Sequence, residues 1–355
     1  MGSFEPPYLL TRVVAFTVVT VIGLGQAPRS GPGVQAAQDA REPEVLKTCK
    51  TPPPPPRGFG GPGRGAFPAP SQVRDYTITA IPGVVAAGEK WQDVWQENGN
   101  NDDGIIGTKD GSVLIAQNDK SDIVRVNPKG AVSVVYSDTN TGGALTMSKK
   151  GTLFLASRGL NAKILELAPL RRVFADKFAG DSLDCIGGVL NDVMADAKGG
   201  VYFTMGGLFY ANAKGVVTQY GTGLRTNGII LSPDEKTVYV TNGPSLASFD
   251  VQADGSLTNQ REFVKWEGGP GDGSTVDSVG RIYVTTDEGI RVITPDGRLL
   301  GLIPTPHAVV ALTFSGPEKK TLYASEFFRE QEGGPIHAPL IAIRMTAQGY
   351  MGRAK

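Results

Sequence analysis

From about Tyr76 onward, short runs of β-branched and aromatic residues alternate with turn residues, and long helical stripes are few. One unit recurs: a turn residue followed by a compact apolar run. It appears as Gly111-Ser-Val-Leu-Ile-Ala, Gly151-Thr-Leu-Phe-Leu-Ala and Gly200-Val-Tyr-Phe-Thr. It returns as Thr237-Val-Tyr-Val-Thr, Gly280-Arg-Ile-Tyr-Val-Thr and Thr321-Leu-Tyr-Ala-Ser. Successive starts are 40, 49, 37, 43 and 41 residues apart. Units of this length built from short strands predict the blades of a propeller, each burying its faces only against its neighbours. Six units predict six blades. Pro128-Lys-Gly130 and Pro295-Asp-Gly297 mark hairpin turns, because proline presets φ and glycine accepts positive φ. Ring closure is expected from Asp75–Ile81 pairing with Leu340–Arg344, which would leave no open sheet edge.

The fold class is therefore all-β, a six-bladed β-propeller preceded by a disordered N-terminal segment. Arg12 precedes an apolar run, Val13 to Gly25, that is shorter than the roughly 20 residues a bilayer crossing needs. It reads as a secretory signal over 1–36 with cleavage after Ala36, an uncleaved anchor being the alternative. Residues 37–74 carry five consecutive prolines and then Gly-Phe-Gly-Gly-Pro-Gly-Arg-Gly, a composition with too little apolar surface to fold, hence a linker. The propeller is assigned to 75–350, and the mature protein is expected to be secreted or periplasmic. Cys49 and Cys185 are the only cysteines. They could be bridged in an oxidising compartment, or one could be buried while the other sits on a mobile tail.

Charge narrows the partners. The 35 basic and 35 acidic residues balance, so nothing suggests nucleic acid or an anionic membrane, and no membrane insertion is expected after signal cleavage. With only His307 and His337, sites needing several imidazoles are excluded. No Gly-x-Ser-x-Gly elbow supports a serine triad.

Candidate chemistry lies just before each repeat, where a propeller chain enters the channel-lining strand. The six positions read Asp103-Gly-Ile-Ile, Gly142-Gly-Ala-Leu, Asn191-Asp-Val-Met, Asn227-Gly-Ile-Ile, Asp272-Gly-Ser-Thr and Val310-Ala-Leu-Thr. Four carry Asp or Asn. Oxygen donors converging on one ring suit a hard divalent cation, Ca²⁺ first, with Mg²⁺, Mn²⁺ or Zn²⁺ also accommodated. The bland reading is that Asp-Gly and Asn-Gly simply make turns. Glu97 is a rival to Asp103 should the phase differ, His307 could serve as a proton shuttle or be a loop residue, and Trp95 could border the pocket.

Three stretches resemble the senescence-marker-protein-30/gluconolactonase family: Leu190–Thr204, Thr226–Thr241 and Gly269–Asp277. The strand and turn Phe249–Arg261 are similar to it too. The resemblance implies a six-bladed propeller whose metal is held by Asp103 (where the family has Glu), Asn227 and Asp272, with Asn191 beside it. It implies hydrolysis of a small lactone or ester, with Asp272 as general base and Asn191 orienting the carbonyl. One departure concerns substrate: animal sugar lactonases carry Arg two residues before the equivalent of Asn191, and here Val189 stands there. A non-catalytic ligand-binding or scaffold propeller, or a strictosidine-synthase-like or paraoxonase-like enzyme, are the alternatives.

Overall fold

A computed structural model of the chain describes residues 40–51, 53 and 70–355. The expected signal, 1–36, lies outside the described residues, as does most of the proline-rich stretch.

Six four-stranded antiparallel sheets are arranged as blades. Their innermost strands are Gly104–Gly107, Gly142–Met147, Val193–Ala195, Thr226–Leu231, Ser274–Val276 and Val309–Ser315. Each inner strand neighbours the next, and the last returns to the first, closing a ring. The apolar repeats seen in the sequence are the second strands, such as Val113–Gln117 and Leu153–Ser157, buried along their whole length. Both faces of a second strand pack against adjacent blades, so apolar residues run continuously there instead of alternating. Outer strands such as Val132–Tyr136 face solvent, although Val132, Val134 and Val135 are apolar.

Closure differs from the expectation. The strand beside His337–Arg344 is Gln92–Asn98, pairing Gln92 with Ala342 and Asn98 with His337. Residues 75–81 form no strand; instead Ile78, Ile81, Val84, Val85 and Trp91 pack into the core of blades 5 and 6 with Tyr283, Ile303 and Phe314. The reason is compositional. Pro82-Gly83 turns the chain immediately after Ile81, with Gly83 at φ 71°, so the stretch buries apolar side chains where an edge strand would keep them outside.

Within the stretch assigned as linker, Glu42–Leu46 form one helical turn, and Cys49 is bridged to Cys185, the Cα atoms 5.6 Å apart. The bridge ties this segment to the loop that leads from blade 2 into blade 3. Beyond residue 350, where the sequence suggested the domain ends, the side chains of Arg353 and Lys355 are buried against the blades. Among the described residues, no helix is long and apolar enough to cross a membrane.

Candidate functional site

The ring brings the four sequence-selected donors together. Asp103 (blade 1), Asn191 (blade 3), Asn227 (blade 4) and Asp272 (blade 5) line one small cavity, with Val310 and Ala311 of blade 6 completing the wall. Neighbouring Asp102 is fully buried and does not reach the cavity; burial and the charge of Asp103 push its carboxyl well above the usual range.

The glycines after the donors explain the recurring dipeptide. A Cβ on Gly104 would lie 2.5 Å from the Gly143 carbonyl oxygen, on Gly228 2.2 Å from that of Asp272, and on Gly273 2.6 Å from that of Val310. None of the three has positive φ. These dipeptides are not turns. Glycine is there because neighbouring inner strands approach backbone to backbone around a narrow channel.

Blade 2 breaks the pattern for a reason the sequence did not reveal. A Cβ on Gly143 would sit 2.0 Å from the Arg158 guanidinium, so this glycine makes room for an arginine. Arg158 follows the second strand of blade 2 and its side chain turns into the ring. Its Nη1 pairs with Asp103 and donates to Asn118 Oδ1 at 3.2 Å; its Nε donates to the Leu190 carbonyl at 2.8 Å. Its Nη2 donates to the Asn191 carbonyl and, at 3.2 Å, to Asn191 Oδ1. Arg158 thus ties blades 1 and 3 together from blade 2, spending all five of its N–H directions within the protein. A second cation, Lys355, lines the same cavity and pairs with Asp192. Sequence reasoning missed both. The missing donor at Gly142-Gly143 was the available hint for Arg158, whereas nothing local marks Lys355.

Other candidates lie elsewhere. Glu97 is on the outermost strand of blade 6 and pairs with Lys120. Trp95 packs on the blade 1 core. His307 is buried outside the cavity lining, stacked on Phe328 with ring centroids 3.4 Å apart, its Nδ1 2.9 Å from Ser71 Oγ. Burial, with Arg74 nearby, lowers its pKa, and a neutral ring results. His337 begins the third strand of blade 6, half-buried, with Gln96 at 3.3 Å.

As a test for a metal, the chemistry of the donors fits a hard divalent ion. Carboxylate and amide oxygens from blades 1, 4 and 5 face one cavity, whose lining contains no imidazole or thiolate. Among the described residues no group of three or more His, Cys, Asp or Glu is placed to hold a metal. An ion at this ring would therefore need the Asn227 amide oxygen and water as well.

Comparison with known proteins agrees with this architecture. The profile of the SMP-30/Gluconolactonase/LRE-like region matches residues 140–326. A gluconolactonase of Zymomonas mobilis is 25% identical over 286 residues, covering 68% of this chain and 78% of that protein. Among solved structures, a gluconolactonase from Xanthomonas campestris superposes with a TM-score of 0.61 at 20% identity, over 78% of this chain and 97% of that one. Regucalcin of Agrobacterium tumefaciens, a calcium-binding protein, superposes with a TM-score of 0.53 at 18% identity, over 69% of this chain and 92% of its own. At those identities the two structures speak for the fold alone. With the profile spanning more than half of the sequence and six blades closing into one ring, the chain belongs to the SMP-30/gluconolactonase/LRE-like family.

Proposed function

We propose that this protein is a metal-dependent lactonase acting on a small lactone or ester within the central channel. One observation carries the reading: oxygen donors from blades 1, 3, 4 and 5 line a single cavity, in a chain whose relatives include a named gluconolactonase. Asp103, Asn227 and Asp272 would hold a divalent ion, Ca²⁺ foremost. Such an ion supplies Lewis-acid polarisation of the carbonyl and lowers the pKa of water.

The chain's own groups do the rest. Asp272 takes a proton from the attacking water as its oxygen bonds to the lactone carbonyl carbon, and returns it to the ring oxygen as the C–O bond breaks. Asn191 orients the carbonyl. Its Oδ1 is engaged by Arg158, so its Nδ2–H₂ is the end left to donate to the developing oxyanion. Arg158 already uses its donors inside the protein, so it holds Asp103 and Asn191 in place instead of gripping substrate.

Export fits the same picture. The Cys49–Cys185 bridge supports an oxidising compartment, and with the apolar run after Arg12 it favours a secreted or periplasmic protein. A scaffold propeller without turnover is the second reading, favoured by the ion pair that already occupies Asp103. To separate them, Asp272→Ala and Asn227→Ala are compared with the unmodified protein for metal content and for hydrolysis of a lactone panel, with and without chelator. Loss of both properties supports the lactonase. Retained metal and activity in both variants would overturn it, and bound metal with no turnover on any lactone or ester would favour the scaffold.

A further inference from the structure

The segment after the last blade, Met345–Lys355, runs across the end of the propeller opposite the donors. Gly349 bridges to Asp277 of blade 5 and Ala354 to Met147 of blade 2. Lys319 donates to the carbonyls of Tyr350, at 2.8 Å, and Arg353. Arg353 donates to the carbonyls of Leu231 and Ser232 in blade 4, and Thr275 holds the Lys355 carbonyl at 2.8 Å. Fastened to four blades, this segment directs one side chain up the channel.

Lys355 Nζ meets three acceptors: Asp192 Oδ1, the Val193 carbonyl at 2.8 Å and the Ile229 carbonyl at 3.1 Å. A neutral amine has two N–H donors; three acceptors require the ammonium form. Burial lowers the lysine pKa, yet the carboxylate and two carbonyls hold the charge in place. Asp192 adjoins Asn191, and its Oδ2 accepts from the Ile229 amide, two residues past Asn227, at 2.8 Å. The pair therefore underlies both asparagines of the candidate site.

Charge gives the pair a further consequence. Among side chains, three carboxylates (Asp103, Asp192, Asp272) and two cations (Arg158, Lys355) line the cavity, one net negative charge. A divalent ion would bring the lining to plus one, suited to the single negative charge a lactone carbonyl develops on attack. Without the lysine the same ion would leave it neutral.

We propose that Lys355 is a positioning residue which, by pairing with Asp192, sets the charge of the site and so tunes both cation affinity and turnover. The proposal rests on the metal-dependent reading above. In Lys355→Met, Asp192 keeps its backbone N–H donors from Val193 and Ile229. The lining loses one positive charge.

The test uses the full chain, stripped by chelator and titrated with CaCl₂ by calorimetry, with kinetics on neutral glucono-1,5-lactone. Lys355→Met should bind calcium about tenfold more tightly while kcat falls about tenfold and KM stays nearly constant, the order a unit charge exerts at this range. Lys355→Met/Asp192→Asn removes both charges together, leaves no buried ion unpaired, and should return calcium affinity and kcat to within about threefold of the unmodified protein. Lys355→Arg should keep the calcium affinity. If Lys355→Met alters only thermal stability, or if the double variant remains impaired, the proposal fails. Asp272→Ala serves as the control: unmodified protein that binds calcium and loses it in this variant upholds the metal reading, whatever Lys355 does. No calcium binding by the unmodified protein overturns both.

Discussion

At the scale of single residues, two buried charges decide most. Arg158 bridges Asp103, Asn118 and Asn191 with a planar fork, a geometry that lysine, a point charge, cannot reproduce. Arg158→Lys should therefore lower kcat/KM for a lactone by tenfold or more while far-ultraviolet circular dichroism stays unchanged; steady-state kinetics on the folded variant check this. Glu326 is the second. It is buried beside His307, whose backbone N–H donates to its Oε1 at 2.8 Å, and burial pushes its carboxyl up to about 7. Its unfolded value is roughly 4.3, so between these pH values the folded state holds the extra proton. Stability therefore falls as pH rises through that window, by about 4 kcal/mol, and levels off above it. Glu326→Gln keeps the acceptor and removes the charge. Its Tm should exceed that of the parent at pH 8 and vary less from pH 5 to 8.

At the scale of strands and their connections, the Gly after Asp103, Asn227 and Asp272 is a packing requirement. A methyl on Gly228 would meet the Asp272 carbonyl oxygen at 2.2 Å, backbone that cannot swing aside. Gly228→Ala should separate the inner strands of blades 4 and 5, costing about 1–3 kcal/mol as overpacking does and weakening the site between them. Denaturant midpoints and lactone turnover should fall together. The outer strand Gln92–Asn98 shows why closure was misplaced. Apart from Val94 and Trp95 its residues are polar, and all are exposed or half-exposed, so periodicity passes over it, while Ile78 and Ile81 read as strand but are core.

At the scale of the whole molecule, the candidate site exists only once the circle closes, because Asp103 and Asp272 come from blades that are not adjacent and are far apart in sequence. An ion held there binds the closed ring and not the open chain. Calcium at about 100 times its Kd should stabilise the fold by about 2.7 kcal/mol, and chelator should reverse the gain, read as a shift in Tm.

The six-blade architecture was legible from the sequence because second strands are buried on both faces, so their apolar repeats survive every difference in the loops between them. The phase of Asp103, Asn191, Asn227 and Asp272 was legible too, since a shared backbone approach fixes where each chain enters its inner strand. Local pattern hints at Arg158 only through the bare Gly142-Gly143 and leaves the Cys49–Cys185 pairing open, and it neither leads Lys355 up the channel nor gives the closing strand to residues 92–98. Those are encounters between segments remote in the chain, decided by which surfaces remain when the ring is complete, and only the tertiary structure determines them.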